Sequence, residues 1–298
     1  MAKTVAVILN SDSGSHADVT LPRIRGLFDA RGIEADFHVA DEGRSLTQLA
    51  GSVCRGGSEI VVAGGGDGTV SSVAAEVMKA GKVLGVLPLG TLNNFSKDLG
   101  IPQDLAAAVG VIADGYFAPV DAAEVNGQTF INNSSIGLYP HLVRHRERQQ
   151  SIGRGKWWAA AWAAVKVFRV SPFLKVRLDV HGRELFRKTP FVFVGNNSYE
   201  MDIYNIGRRL SLQDGKLSIH LLRRGGRAAL VMLVLRTLFG RLRQSKDFEE
   251  FETCEIEIAT KRKRVLVARD GEIDVFESPL RYKILPGALK VFVPEPER

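Results

Sequence analysis

Residues 61–70 read VVAGGGDGTV: an apolar, strand-like run stops in three glycines, an aspartate, a fourth glycine and a threonine. Glycine packs nothing and costs backbone entropy, so a run of it is kept where bare backbone must pass close to something. Downstream, Val70, Val73, Ala74, Val77 and Met78 fall at i, i+3, i+4, i+7 and i+8, one apolar helix face that Gly81 would end. The loop therefore joins a strand to a helix. Its N–H groups and the partial positive charge of the helix N-terminus suit an anion, a phosphate above all. The plainer alternative is a tight turn in which Asp67 and Thr69 only cap the helix.

The surrounding pattern says where such a loop would lie. Apolar runs at 5–10, 35–40, 59–64 and 83–90 alternate with helical patterns around 18–31, 45–55 and from 70 onward. Continuous apolar strands separated by helices predict an α/β domain, a doubly wound parallel sheet covered on both faces. Ligands of such sheets bind beyond the carboxyl ends of strands, here NSDSGS, GGGDGT and PLGTLNN. Neither a Walker A loop nor a G-x-G-x-x-G fingerprint is present.

After about residue 120 the texture changes to alternating, β-branched segments, among them TFINNSSIG, TPFVFVGNN, KLSIHLL and RVLVARDGEIDVF. These predict a C-terminal antiparallel β-sandwich. The expected division is 1–121 for the α/β domain and 122–298 for the sandwich, with the last strand returning to the N-terminal domain. Two helical stretches, 153–169 and 226–247, interrupt it. Cys54 and Cys254 are the only cysteines, which supports neither a disulfide framework nor zinc and fits a reducing cytoplasm. No apolar stretch reaches the length that spans a bilayer, and the N-terminus reads as a first strand and not as a signal peptide. A net charge of +7 favours anionic partners without choosing among them.

Two motifs about twenty residues apart, GGGDGT (64–69) and PLGTLNNF (88–95), resemble the diacylglycerol kinase catalytic-domain family of soluble lipid kinases; NAD kinases share only the GGDGT part and the fold. FINNSSIG (130–137), FVGNNSY (193–199), LQDGKL (212–217), ARDGE (268–272) and PGALKVFVP (286–294) follow in the family's order. The resemblance implies that Gly65, Gly66, Asp67, Gly68, Thr69, Val70 and Ser71 hold nucleotide phosphates, joined by Asn10, Ser13 and Gly14 of the first loop and by Thr91. It implies ATP and Mg²⁺ as cofactors, and Asp270 or Glu272 of the DGE turn as proton acceptor. Ser211, Asp214 and Lys216 would form a metal site, Asp214 by its carboxylate and the others by their carbonyls. Each Asp-Gly pair is equally a hairpin or loop turn when taken alone. The chain departs from the family at Ser11, where a proline is usual, at Ala40, where a threonine is common, and at Asn94, where aspartate is common. An amide at 94 neither neutralises a cation nor accepts a proton.

The function expected is ATP-dependent phosphorylation of a membrane lipid's hydroxyl, in the cytoplasm at the inner membrane face. Two stretches carry the membrane expectation: 154–173 with Trp157, Trp158 and Trp162 beside basic residues, and 223–243 with an apolar block between arginines. Each could equally pack on the sandwich with a solvated basic face. KRKR (261–264) reads as a solvated turn, because no aromatic platform accompanies it, so no nucleic-acid partner is expected. His141 and His145 lack a third ligand and read as basic surface. The resemblance adds a homodimer. The rivals are a soluble NAD-kinase-like enzyme and a non-catalytic lipid- or nucleotide-binding regulator.

Overall fold

The computed structural model describes residues 4–10, 17–40, 45–137, 173–180, 182–201, 206–209, 211–222 and 248–296. Ser13, Gly14, the three tryptophans, His141, His145 and the arginine-flanked stretch 223–243 lie outside these residues. The chain divides into two compact units, one of Met1–Ala122, Ser211–Asp214 and Leu285–Arg298, the other of Ala123–Leu210 and Gly215–Ile284. The N-terminal domain thus acquires two segments from far along the chain, the second of them the C-terminal tail.

The first unit contains β1 (Val5–Asn10), α1 (Ala17–Asp29), β2 (Ala35–Ala40), α2 (Leu46–Cys54), β3 (Ile60–Gly65), α3 (Asp67–Ala80), β4 (Val83–Pro88), α4 (Asn94–Asp98), α5 (Leu105–Asp114) and most of β5 (Phe117–Val125). The strands run parallel in the order β2-β1-β3-β4. Lys290 and Val291 of the last strand extend this sheet beside Val83 and Leu84. β1, β3 and β4 are almost wholly buried, as continuous Val/Ile/Leu runs require in a sheet covered on both faces. α1 packs with α5, and α2 with α3.

The second unit contains β6 (Gln128–Phe130), β7 (Asn133–Gly137), β8 (Leu174–Val180), β9 (Arg183–Thr189), β10 (Phe191–Asn196), β11 (Tyr199–Met201), β12 (Ile206–Arg209), β13 (Leu217–Leu222), β14 (Phe248–Thr253), β15 (Glu255–Thr260), β16 (Arg264–Arg269), β17 (Glu272–Glu277) and the start of β18 (Leu280–Phe292). It is an antiparallel sandwich. One sheet runs β18-β15-β8-β9, the other β14-β13-β10-β7-β16-β17. Alternate residues of both, among them Val176, Leu178, Ile258, Val192, Ile219, Val267 and Tyr282, fill a common core. Arg187 of β9 closes one edge of the sandwich with a bidentate pair to Glu249 of β14, at 2.8 and 2.7 Å.

Candidate functional site

The order β2-β1-β3-β4 reverses direction at β1: the chain leaves β1 toward β2 and returns to β3 on its other side. Such a switch point opens a crevice beyond the strand ends, here between Asn10 and the glycine loop. The helix after β3 begins at Asp67, three residues before its first apolar position, so Asp67, Gly68 and Thr69 form its first turn. Their N–H groups have no intrahelical acceptor by position and no other partner among the described residues. α2 and α5 start differently, with Ser45 and Asp104 accepting from Gln48 N and Ala107 N. The N-cap of α3 is Gly66, which has no side chain to compete for these donors. Three open amides at the positive end of a 14-residue helix make an anion site ready to use.

What comes close to the glycines is, first, the chain itself. A Cβ on Gly64 would collide with Leu9, one on Gly65 with Thr69, and one on Gly90 with the Cα of Gly66. The GGGDGT and GTLNNF loops therefore touch backbone to backbone. Asp67 strengthens the junction: its carboxylate accepts from Asn94 N at 3.1 Å and Phe95 N at 3.0 Å, capping α4 from outside. The N-cap of that helix, Asn93, makes no such bond and sits at φ 52°. Its side chain instead spans Gly90, accepting from Gly90 N and donating to Gly90 O. Thr69 is buried and its hydroxyl accepts from Asn10 Nδ2 at 3.3 Å, joining the first loop to the second. Val70 is buried and its N–H donates to Gly66 O. Ser71 is half-buried and Thr91 is exposed.

In the sandwich unit, three separated motifs meet on the segment Ile131–Asn133. Asp270, with φ 46° in the β16–β17 turn, accepts from Ile131 N at 2.7 Å, Asn132 N at 2.8 Å and Asn133 N at 3.0 Å. From the other side Asn196 Nδ2 and Arg209 Nη1 donate to Ile131 O at 2.8 and 2.6 Å, and the Tyr199 hydroxyl to Asn132 O at 2.8 Å. Ile131, Asn132, Asn196, Tyr199, Arg209 and Asp270 are buried, and Asn133 is half-buried. Glu272, two residues on, pairs with Arg269 through the strand backbone, while its exposed carboxylate has no partner among the described residues. The DGE turn thus presents one fixed carboxylate and one accessible carboxylate.

The loop expected to hold a metal falls where the chain passes between units. Leu212 O accepts from Asp121 N at 2.8 Å, and Asp121, buried, accepts from Gly287 N at 2.8 Å. Asp214 is exposed; Lys216 pairs with Glu252 at 2.6 Å. No cluster of three or more His, Cys, Asp or Glu side chains that could bind a metal occurs among the described residues. The donors that are present, one exposed carboxylate with neighbouring carbonyls, are oxygen only and fit a hard cation. Asp121 and Arg209 lie in no motif read from the sequence, and Asn196 and Tyr199 stand in FVGNNSY without a role assigned there, since their roles depend on partners that no local pattern announces.

A family model described as the diacylglycerol kinase catalytic domain matches residues 4–125, and one described as the YegS C-terminal NAD kinase beta sandwich-like domain matches residues 142–293. The chain belongs to the diacylglycerol kinase catalytic-domain family. A YegS-like lipid kinase of Klebsiella pneumoniae is 38% identical over 123 residues, covering 39% of this chain and 41% of the relative. A diacylglycerol kinase of Bacillus subtilis is 31% identical over 145 residues, 47% of this chain and 48% of that one. These matches span about half or less of the relatives' length. A crystal structure of a diacylglycerol kinase from Bacillus anthracis superposes with a TM-score of 0.71 over 98% of this chain and 97% of that one, at 21% identity; it shares the family's fold.

Proposed function

We propose that the protein is an ATP-dependent lipid kinase that phosphorylates the hydroxyl of a membrane lipid such as a diacylglycerol, ceramide or sphingoid-type alcohol. The observation that carries the reading is the side-chain-free N-terminus of α3, with the amides of Asp67, Gly68 and Thr69 open beside Asn10. Amides without a competing cap suit the oxygens of a nucleotide's phosphates. Phosphoryl transfer otherwise needs positioning and a carboxylate near the attacking hydroxyl. The DGE turn supplies the carboxylates, Asp270 as the anchored member and Glu272 as the accessible one. Mg²⁺, when bound, neutralises charge on the phosphates or stiffens the 211–216 loop, where Asp214 and the carbonyls of Ser211 and Lys216 would hold it. Work at the membrane is peripheral in this reading, in the cytoplasm at the inner face; no helix among the described residues is long and apolar enough to cross a bilayer.

The test is transfer from labelled ATP with Mg²⁺ into a total lipid extract in mixed micelles, beside the Asp270→Ala/Glu272→Ala variant. A labelled lipid made by the wild type and not by the variant supports the reading and names the acceptor class. Label appearing on NAD without any lipid, or on nothing while ATP binds, would refute it.

A further inference from the structure

We propose that the outward face of the β15-β8-β9 sheet is a docking surface for an anionic bilayer, formed by Lys175, Lys188 and Lys261 beside the exposed ring of Phe186. The proposal deepens the lipid-kinase reading by naming where such an enzyme would meet its membrane.

The strand register lays this face out in rows. Lys175 of β8 stands opposite Lys188 of β9. On the other side of β8, Thr260 stands opposite Val176, so Lys261 follows beside Lys175. These three lysines line an open depression of about 460 Å³ together with Phe186 and Ala259. The next row is Phe186, Arg177 and Ala259, and the next is Glu184, Asp179 and Glu257. Two of the three acids are paired, Glu184 with Arg177 at 2.8 Å and Glu257 with Arg281 at 3.1 Å, and Asp179 accepts from Gly182 N at 2.9 Å. The lysines are left over. None of the three has an ion-pair partner among the described residues; the nearest compensation is Lys188 over the Phe173 ring at 5.4 Å.

Like charges directly opposite one another on a sheet repel, so a row of three unpaired lysines is kept against a local cost. One ordinary reason is protection of an edge strand against pairing with another chain. β9 is the last strand of its sheet, and that reason accounts for Lys188. It does not account for Lys175 on the inner strand β8, nor for Lys261 beyond the end of β15. Phe186 argues against it outright: 70% exposed on the edge strand, it is the kind of group that edge protection removes. A bilayer satisfies both features at once. Anionic headgroups neutralise the lysines, and the ring enters the interface at their level. Arg262, exposed in the same KRKR turn, extends the positive field. The turn that looked merely solvated in the sequence therefore sits beside an aromatic residue after all.

The full-length protein would be sedimented with vesicles of phosphatidylcholine alone and of phosphatidylcholine with phosphatidylglycerol. The wild type should bind the anionic vesicles preferentially and lose them as salt rises. Lys175→Gln, Lys188→Gln and Lys261→Gln should each lower the partition coefficient roughly fivefold, and the triple variant roughly a hundredfold. Phe186→Ala should weaken binding at every salt concentration. All four positions are exposed, so the unfolding temperature should hold or rise, which guards against misfolding as the cause. Wild-type binding by the triple variant would overturn the proposal, as would release of the wild type by inorganic phosphate at millimolar concentration, the mark of a small-anion site. The triple variant should keep its kinase activity in neutral detergent micelles. Lysine-dependent docking without any kinase activity in the wild type would leave this surface standing and remove the lipid-kinase reading instead.

Discussion

Asp67 separates a structural from a ligand-binding explanation of the GGGDGT loop. In the folded chain its carboxylate accepts two main-chain bonds, from Asn94 N at 3.1 Å and Phe95 N at 3.0 Å, and so caps α4, whose own N-cap Asn93 makes no side-chain cap bond. Asp67→Ala removes both. Partly exposed bonds to a charged acceptor contribute about 1 kcal/mol each, so the first turn of α4 should open more easily by about 2 kcal/mol, roughly thirtyfold in its opening equilibrium. Amide hydrogen exchange of the apo protein reads this directly: Asn94 and Phe95 should lose that much protection, while Val61 and Val62 in β3 should not change. Asp67→Asn, which keeps one acceptor oxygen, should fall about halfway. Affinity for ATP should drop modestly, through the displaced 88–95 loop, because the open donors at 67–69 are backbone and survive the substitution. Unchanged protection at 94 and 95 together with a hundredfold loss of nucleotide affinity would refute this reasoning and make the carboxylate a direct partner of the nucleotide or its cation.

Gly90→Ala would drive a methyl group into the Gly66 backbone; we expect nucleotide affinity to fall at least tenfold with little change in the sandwich unit, measured by calorimetric titration and near-ultraviolet dichroism. Asp270→Asn should destabilise the second unit by about 2 to 4 kcal/mol in urea, since an amide cannot accept from all three N–H groups, two of them buried, whereas Glu272→Gln, at an exposed position, should leave stability within about 0.5 kcal/mol and lower kcat. Burial lowers the pKa of His220 to about 4. Below about pH 6.5 the unfolded chain takes up a proton that the folded chain refuses, so about 2 kcal/mol of stability should be lost between pH 7.5 and 5. His220→Gln should flatten that part of the urea-stability profile.

The parallel sheet was legible because strands buried on both faces must be apolar throughout, as VAVILN and VVAGG are. Helix starts were less so: α3 was expected from Val70, since periodicity begins at the first apolar residue, yet its first turn is the polar Asp67–Thr69. β9 and β14, RELFRKT and FEEFET, escaped notice because charged residues fill their exposed positions and even Arg187 and Glu249 pair with each other. In the site, loop glycines and the DGE turn announce themselves by composition. The knot around Ile131–Asn133 does not: Asp270 lies more than 130 residues from the amides it holds. Arg209 and Tyr199 look like any basic or aromatic residue until the fold brings them to the same carbonyls.

The two halves of GGGDGT divide the labour. The glycines before the aspartate face protein: Gly64 makes room for Leu9 and Gly65 for Thr69, while Gly66 lies against Gly90, where it is Gly90 that has no room for a side chain. A side chain at Gly64 would displace Leu9, one at Gly65 would displace Thr69 in the first turn of α3, and one at Gly90 would push the loop after β4 off Gly66. The aspartate then fixes the third loop through α4, and the threonine is tied to the first through Asn10. Only after those demands are met do open amides remain, those of residues 67–69. A phosphate site needs unsatisfied donors held rigidly, and unsatisfied donors alone do not stay in place. The side chains of Asp67 and Thr69 act on the neighbouring loops so that their own N–H groups stay free. That also explains why a plain helix cap and a phosphate loop look alike in sequence: the same residues cap a neighbouring helix with their side chains and leave their own helix uncapped.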